Sequence, residues 1–221
     1  MKKQSLVLPP TLTRLRRIDR RPFLGLLGLG LSGCGGLLPI PDSPTLYTLS
    51  PKSTFPDDLP IADWQLLIET PFAAAVLDTV RVAVLTEFTS VDYFAGVSWT
   101  DLAPEMIQTL IIESFENSRK IVAVGRETVG LRADYILSTE LREFQFEQRA
   151  GQPSQVRVTI NAKLIQEVRR SIVANENFEY VEVVQSPDFD AIIEGFDEAL
   201  GKVMRRLVIW TLVEGNAAWN G

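Results

Sequence analysis

The sequence predicts an α+β fold in which a mixed, largely antiparallel sheet carries two amphipathic helices packed on one face. The first observation is a long apolar stripe in the stretch from Asp188 to Leu212, which is typical of an amphipathic helix. The second is a strand, helix and strand pattern between Val80 and Val124. The third is a strand with alternating apolar residues: Val156, Val158, Ile160, Ala162 and Leu164. Helices that bury one stripe against a sheet form a two-layer domain.

The first 33 residues are typical of a bacterial lipoprotein signal peptide. An arginine-rich segment precedes an uncharged stretch from Phe23 to Leu31, and small residues lead to Cys34, the only cysteine of the chain. We expect cleavage before Cys34 and lipidation of its thiol. A transmembrane anchor over Pro22–Pro41 is the second interpretation, which the glycines and prolines of that stretch disfavour. Arg20 and Arg21 resemble a twin-arginine signal and leave the export route open.

Residues 34–63 are predicted to form a lipidated tether that precedes a folded domain at 64–221. Six prolines lie between Leu38 and Asp63, together with several acidic residues. A proline-rich chain is extended and rises about 3.1 Å per residue, so it can hold a domain away from a bilayer. The apolar residues of Leu46–Leu49 predict one short strand within the tether.

The composition of the predicted mature chain excludes several classes of function. The chain has 22 basic and 28 acidic residues, and the loss of seven basic residues and one acidic residue with the signal leaves 15 and 27, a net charge of −12. Such a surface repels phosphate backbones, which argues against a nucleic-acid partner. The sequence has no histidine, and lipidation would consume its one thiol. The commonest general base, zinc ligand and thiol nucleophile are missing, so we predict no enzyme, cofactor or metal site.

The first half of the domain is predicted to begin with strands at Trp64–Glu69 and Val80–Leu85, separated by a loop at Pro71–Ala75. The aromatic segment Val91–Trp99 predicts a short strand followed by a loop. The first two segments have the length, apolar content and bounding turn residues of strands.

A helix follows, with Thr100 or Asp101 as its N-cap and Pro104 in its first turn, where a missing N–H does little harm. It is predicted to end at Asn117–Lys120. The apolar stretch Ile121–Val124 then forms a short buried strand, which completes the strand–helix–strand pattern.

The second half of the domain is predicted to be an antiparallel meander closed by the long helix. Ser186 is placed to cap that helix, and Pro187 suits its first position. The three strands of the meander are Tyr135–Phe146, Gln155–Glu167 and Phe178–Val184.

Four stretches of the mature chain together carry a family resemblance: Tyr93–Pro104, Glu113–Ser118, Gly130–Tyr135 and Phe196–Leu200. Their order, the lipidation motif upstream and the closing helix are similar to those of the ABC-type transport auxiliary lipoproteins. The resemblance covers essentially the whole predicted domain. It implies a PqiC-like α/β sandwich with no catalytic residues.

The resemblance also implies a function and a location. Members accompany an ATPase, a permease and a periplasmic MCE-domain protein that move lipids or other hydrophobic molecules between two membranes. We therefore expect a non-catalytic lipoprotein, anchored at the periplasmic face of the outer membrane, that docks the MCE-domain protein. Gly35 stands where some bacteria place an aspartate for retention in the inner membrane, which is the alternative location.

The aromatic residues Tyr93, Phe94 and Trp99 are the candidate contacts with a partner, because aromatic side chains are enriched at interface hot spots. The other interpretation is that the same residues cap the edge of the sheet or the core. Trp210 and Trp219 are weaker candidates of the same kind. A ring of identical subunits could enclose a passage for cargo. The alternative function is a structural or envelope-assembly lipoprotein that binds protein or peptidoglycan without lipid cargo.

Overall fold

The computed structural model describes residues 43–87, 89–126, 132–186 and 188–221, and these residues form an α+β domain, which confirms the predicted fold class. The predicted signal peptide and its lipidation site, Cys34, lie outside the described residues. The helices are α1 (Ala103–Ser118) and α2 (Phe189–Trp219). The strands are β1 (Thr45–Tyr47), β2 (Ala62–Ile68), β3 (Phe72–Ala73), β4 (Ala83–Leu85), β5 (Val91–Tyr93), β6 (Val97–Trp99), β7 (Ile121–Gly125), β8 (Tyr135–Glu147), β9 (Gln155–Gln166) and β10 (Ser171–Val183).

The long strand β8 organises the main sheet, whose order is β10-β9-β8-β2-β7. On one side β8 pairs antiparallel with β9, which pairs antiparallel with β10, so the predicted meander is confirmed. On its other side β8 pairs in parallel with β2, then β3, then β4 along its length. β5 pairs with β4, β7 pairs in parallel with β2, and β1 pairs with β6 in a separate small sheet.

The alternation of β9 separates the two faces of the meander, which we call the inner face and the outer face. The apolar residues from Val156 to Leu164 have 0% exposure on the inner face, against α2. β10 begins at Ser171 rather than at the predicted Phe178. Its first seven residues are mostly exposed at the edge of the sheet, so they do not need the apolar alternation by which a half-buried strand is recognised.

Helix α2 lies along the inner face and extends to Trp219, seven residues beyond the predicted end at Leu212. Asp188 is its N-cap, so the prediction that Ser186 caps it is wrong. The Ser186 hydroxyl instead accepts a hydrogen bond from the Asp188 N–H and donates one to the Asp188 carboxylate. Pro187 lies outside the described residues. Neither described helix combines the length and hydropathy that a membrane span requires.

Helix α1 begins at Ala103 with Leu102 as its N-cap, and no side chain caps it. Neither predicted cap residue therefore caps the helix, although the Asp101 carboxylate accepts a hydrogen bond from the Leu102 N–H at 2.8 Å. Pro104 lies in the first turn, as predicted. The helix ends at Ser118, and the left-handed backbone of Arg119, with φ of 54°, turns the chain towards β7.

Three short segments differ from the predictions. The predicted loop Pro71–Ala75 contains β3, and the segment Val91–Trp99 contains two strands, β5 and β6, rather than one. The predicted strand–helix–strand unit is present as β4, α1 and β7, but β7 lies beside β2 and not beside β4. Long-range strand pairing of this kind leaves no signal in the local pattern.

The described part of the predicted tether, residues 43–63, packs on the domain. Leu49 is 5% exposed and Leu59 is 9% exposed. The Lys52 N–H donates to the Ser114 hydroxyl of α1 at 2.9 Å, and the Asn117 side chain donates to the Lys52 carbonyl. The packed domain therefore begins before the predicted boundary at 64, because apolar residues between the prolines are buried in the core.

Candidate functional site

The candidate contact residues lie close together in the chain: Tyr93 on β5, Phe94 in the turn that follows, and Trp99 on β6. The Phe94 N–H donates to the Val82 carbonyl at 3.0 Å, and the Trp99 N–H donates to the Val80 carbonyl at 2.7 Å. These bonds hold both strands against the segment that contains β4. Phe94 and Trp99 thereby reach aromatic rings of the sheet and of the first half of α2.

Trp99 belongs to the core, so its prediction as an exposed partner contact is wrong. The residue is 2% exposed. Its ring centroid lies 5.3 Å from that of Phe144 on β8 and 5.2 Å from that of Phe196 on α2. The indole fills the space between the sheet and α2 and contributes to stability, in agreement with the alternative interpretation of this segment.

Phe94 is half-buried in a row of aromatic rings at the start of α2. Its ring centroid lies 5.1 Å from that of Phe189 and 5.8 Å from that of Phe146. On the other side of Phe189, the ring of Tyr47 lies at 5.0 Å. The row joins β1, the β5–β6 turn and the first turn of α2. Tyr47 belongs to this row, although it was not identified as a candidate from the sequence.

Tyr93 is half-buried, and one face of its ring is covered by a cation. The guanidinium carbon of Arg81 lies 3.6 Å from the ring centroid, a distance at which the cation is attracted by the ring. The Tyr93 hydroxyl donates to the Val76 carbonyl at 3.1 Å. The contact of Tyr93 and Phe94 with a partner stays a prediction.

Carboxylates of α2 hold the segment that enters the domain. The Tyr47 hydroxyl donates to Asp190 at 3.2 Å, and the Ser50 N–H donates to Asp197 at 2.6 Å. Partial burial of the Tyr47 hydroxyl raises its pKa, and the hydrogen bond to the Asp190 carboxylate and the charge of that carboxylate raise it further. The phenol is therefore a proton donor at neutral pH and fastens β1 to α2.

Two open grooves flank the helices, and both have polar or charged walls. A groove of about 320 Å³ lies between the end of β10 and the start of α2, and Glu182, Glu194 and Glu198 line it. A groove of about 390 Å³ lies between residues 53–57 and the end of α1, and Asp57, Glu116 and other polar residues line it. Val183, Val184 and Ala191 also line the first groove, so its wall mixes apolar surface with carboxylates, whereas the wall of the second groove is mainly polar. Among the described residues, no cluster of Asp, Glu, Cys or His side chains is arranged to hold a metal ion.

A buried carboxylate lies on the outer face of the meander. The Glu147 side chain is 3% exposed and accepts hydrogen bonds from Arg157 at 2.9 Å and from Gln155 at 2.7 Å. Burial alone would raise the pKa of Glu147, but hydrogen bonds from Arg157, Gln155 and Gln145 and the charge of Arg157 lower it overall. A carboxylate with this many donors is held ionised as a structural group and is not poised to transfer a proton.

The two weaker tryptophan candidates have different environments. Trp210 is half-buried and packs on Phe178 of β10, with 5.6 Å between ring centroids. Trp219 is 45% exposed in the last turn of α2, with its ring centroid 6.4 Å from that of Tyr135. Of the tryptophans that were candidates, Trp219 has the most surface available to a partner.

The chain resembles proteins of known sequence and structure. The family model of the ABC-type transport auxiliary lipoprotein component matches residues 47–208. The crystal structure of protein XCC0632 from Xanthomonas campestris, of the family DUF330, is 29% identical with a TM-score of 0.76, and the match covers 80% of this chain and 99% of that chain. A second solved structure, of an uncharacterized protein, shares the fold at 12% identity with a TM-score of 0.59 and covers 76% of this chain and 97% of that chain.

An uncharacterized protein of Bradyrhizobium diazoefficiens, bll6063, is 27% identical over 148 residues. The match covers 67% of this chain but only 39% of that protein, so the chain corresponds to part of this relative. The family match spans β2 to β10, helix α1 and the first 20 residues of α2, which together contain most of the core described above. The chain belongs to the family of ABC-type transport auxiliary lipoprotein components.

Proposed function

We propose that this chain is a non-catalytic lipoprotein of the outer membrane that docks the periplasmic MCE-domain protein of an ABC transporter for lipids or other hydrophobic molecules. Membership of the auxiliary lipoprotein family, over residues 47–208, is the observation that carries the proposal. An auxiliary component accompanies a transporter, so a transporter subunit is the partner to expect.

The proposed anchor is a lipid attached to Cys34 after removal of residues 1–33. The order of segments along the sequence supports lipidation of Cys34, since this residue follows a basic segment, an apolar segment and small residues. Gly35 follows Cys34 in place of an aspartate, which favours sorting to the outer membrane. The domain would then lie on the periplasmic side.

A docking role fits the surface of the domain better than a carrier role. The grooves beside α1 and α2 present Glu182, Glu194, Glu116 and Asp57, whose charges disfavour an acyl chain. The inner face of the sheet is filled by its own side chains and α2. We therefore assign the passage for cargo to the partner, or to a ring of several copies of this chain around it.

The test is a pull-down of the full-length tagged chain from detergent-solubilised membranes of its own bacterium, followed by mass spectrometry of proteins and lipids. We expect recovery of an MCE-domain protein together with enriched lipid. The matched control is Cys34→Ala, which should remain unprocessed and be absent from the outer-membrane fraction.

Recovery of neither an MCE-domain protein nor lipid with the wild-type chain would overturn the proposal. Co-purification of peptidoglycan fragments or of an envelope-assembly protein alone would instead support the structural alternative. A Cys34→Ala chain that sorts like the wild type would remove the lipid anchor from the proposal.

A further inference from the structure

The two ends of the domain differ in their relation to the proposed anchor. Ser43 is the first of the described residues. Close to it, Thr45 of β1 donates its N–H to the Gly96 carbonyl at 2.9 Å. Two residues later, the ring of Tyr47 lies 5.0 Å from that of Phe189, the first residue of α2. The chain therefore enters the domain beside the start of α2, which we call the proximal end.

The opposite end lies beside the last turn of α2, and we call it the distal end. The Trp219 ring lies 6.4 Å from that of Tyr135, the first residue of β8. Tyr135 is paired with Gln166 near the end of β9. A helix of 31 residues is about 46 Å long, so the distal end is far from the point where the chain enters.

The tether length keeps the proximal end near the membrane. Eight residues lie between Cys34 and Ser43, so the nine steps from one to the other extend at most about 32 Å. A lipid on Cys34 therefore holds the proximal end within that reach of the bilayer. The distal end is the better placed of the two for contact with a protein in the periplasm.

An apolar row crosses the outer face at the distal end. Strand registers place Leu67 beside Ile136, Ile136 beside Ile165, and Ile165 beside Ile172. The row lies on the outer face because the neighbours of Ile136 along β8 are fully buried on the inner face. It crosses four strands, a width of about 14 Å.

The row is accessible to solvent, with Leu67, Ile136 and Ile165 half-buried and Ile172 exposed, and it differs from the rest of the outer face. Ile172 is 58% exposed, and Val168, in the turn between β9 and β10, is 84% exposed. Further along the same face, the residues of β8 are polar, from Ser138 to Glu147. A continuous apolar strip beside a polar surface is typical of a site for a partner.

Basic side chains border the row, although the mature chain has a net charge of −12. Lys163 is exposed in the next cross-strand row of the outer face, beside Ser138 and Asn175. Arg169 and Arg170 are exposed in the β9–β10 turn. The ion pair of Arg170 with Glu167, at 3.8 Å, is solvent-exposed and weak. A complementary partner surface is apolar at its centre and acidic at its border.

We propose that the distal patch, formed by Leu67, Ile136, Ile165, Ile172 and Val168 with Arg169, binds an apolar segment with acidic flanks on the periplasmic MCE-domain protein. This inference rests on the proposed function and adds to it the surface and the chemistry of its partner. The tether holds the opposite end near the membrane, which favours a periplasmic protein over the bilayer as the occupant.

The test measures binding of the purified MCE-domain protein of the same transport system to the lipidated full-length chain in detergent micelles, by biolayer interferometry. Val168→Asp and Ile172→Asp place a carboxylate in the patch, and Arg169→Glu reverses a border charge. We expect each to weaken binding at least about tenfold and the wild-type affinity to fall with rising salt. The matched control is Leu46→Asp, which changes a 61% exposed apolar residue at the proximal end and should bind as the wild type does.

The outcomes separate the inference from the proposed function. If the wild type binds and the three distal variants bind equally well, the distal patch is wrong and the docking function stands. If the wild type does not bind, both are overturned. If Val168→Asp changes the mass of the isolated chain in sedimentation, a second copy occupies the patch and the inference is overturned. Val168 is 84% exposed, so circular dichroism of Val168→Asp should match the wild type and exclude misfolding as the cause of lost binding.

Discussion

The two faces of the meander are built from the same strands and are stabilised in different ways. On β9, Val158 and Ile160 are fully buried on the inner face by contact with other apolar side chains. On the outer face of the same strand, Thr159 is 5% exposed and Asn161 is 6% exposed, and both are hydrogen-bonded. At these positions burial is similar on both faces, but the inner face depends on packing and the outer face on paired polar groups.

The largest effect is expected from the inner face, at Trp99. Trp99→Ala removes an indole that is 2% exposed between Phe144 and Phe196. We expect a loss of about 3–5 kcal/mol in the free energy of unfolding, measured by urea denaturation of the mature chain. Trp219→Ala, at a residue that is 45% exposed, is the control and should cost clearly less. Equal losses for the two variants would contradict the core position of Trp99.

Two glycines of α2 give a second test of inner-face packing. A Cβ at Gly215 would lie 2.4 Å from an atom of the Trp64 ring, whereas at Gly201 the nearest atom, on Lys52, is 4.0 Å away. We expect Gly215→Ala to destabilise the domain by about 1–3 kcal/mol through overpacking. Gly201→Ala should stabilise it by about 0.5–1 kcal/mol, because alanine favours a helix interior. Thermal or urea unfolding of both variants that ranks them in the reverse order would refute close contact between α2 and Trp64.

A smaller effect is expected at Glu147, on the outer face. Glu147→Gln keeps the shape of a side chain that is 3% exposed but removes the charge that Arg157 contacts. We expect a loss of about 1–3 kcal/mol in unfolding free energy at neutral pH. Glu140→Gln is the control, because that side chain is 42% exposed and its pair with Arg142 is screened by water.

We expect the destabilisation caused by Glu147→Gln to depend on pH. The pKa of Glu147 is lowered in the folded state from its usual 4.5, so the folded state binds this proton more weakly than the unfolded state does. The stabilisation by the Glu147 carboxylate is present above the pKa of Glu147 in the unfolded state. It is lost as the pH falls through the pKa of Glu147 in the folded state. The difference in urea midpoint between wild type and Glu147→Gln should therefore shrink below pH 4.5. A difference that grows on acidification would show that the charge of Glu147 does not stabilise the fold.

The smallest effect is expected at the exposed ion pair of the outer face. Arg142 and Glu140 lie 2.9 Å apart, with side chains 46% and 42% exposed. Arg142→Ala should change the free energy of unfolding by no more than about 0.5 kcal/mol. A loss as large as that of Glu147→Gln would mean that surface charge, rather than buried pairing, stabilises the outer face.

An element of the fold can be predicted from the sequence when the residues that indicate it lie within one segment of the chain. The β9 alternation and the α2 stripe lie within one segment each, so the meander, the helix and the fold class are readable from the sequence. β3 is two residues long and forms because β8 offers backbone groups at Glu140 and Leu141. Its partner is distant in the chain, and no local pattern indicates it.

The candidate site was less predictable than the fold. The aromatic composition of Val91–Trp99 indicates that these side chains can make a large contact area with a neighbouring surface. It does not indicate which side of the sheet each ring faces. Trp99 enters the core because α2 supplies Phe196 on its other side. The distal row joins Leu67, Ile136, Ile165 and Ile172 from four strands, and only the registers of those strands bring them together.

The sequence by itself determined the α+β class, the meander, the helices and the lipidation motif at Cys34, because each depends on the spacing of residues that are close in the chain. The tertiary structure decided that Trp99 is buried, that residues 43–63 pack on both helices of the domain, that Glu147 is a buried ionised group and that an apolar row crosses the distal end. These properties depend on which segments meet in space. Contacts between distant segments decide burial, and burial in turn decides whether an aromatic ring or a carboxylate stabilises the core or is available to a partner.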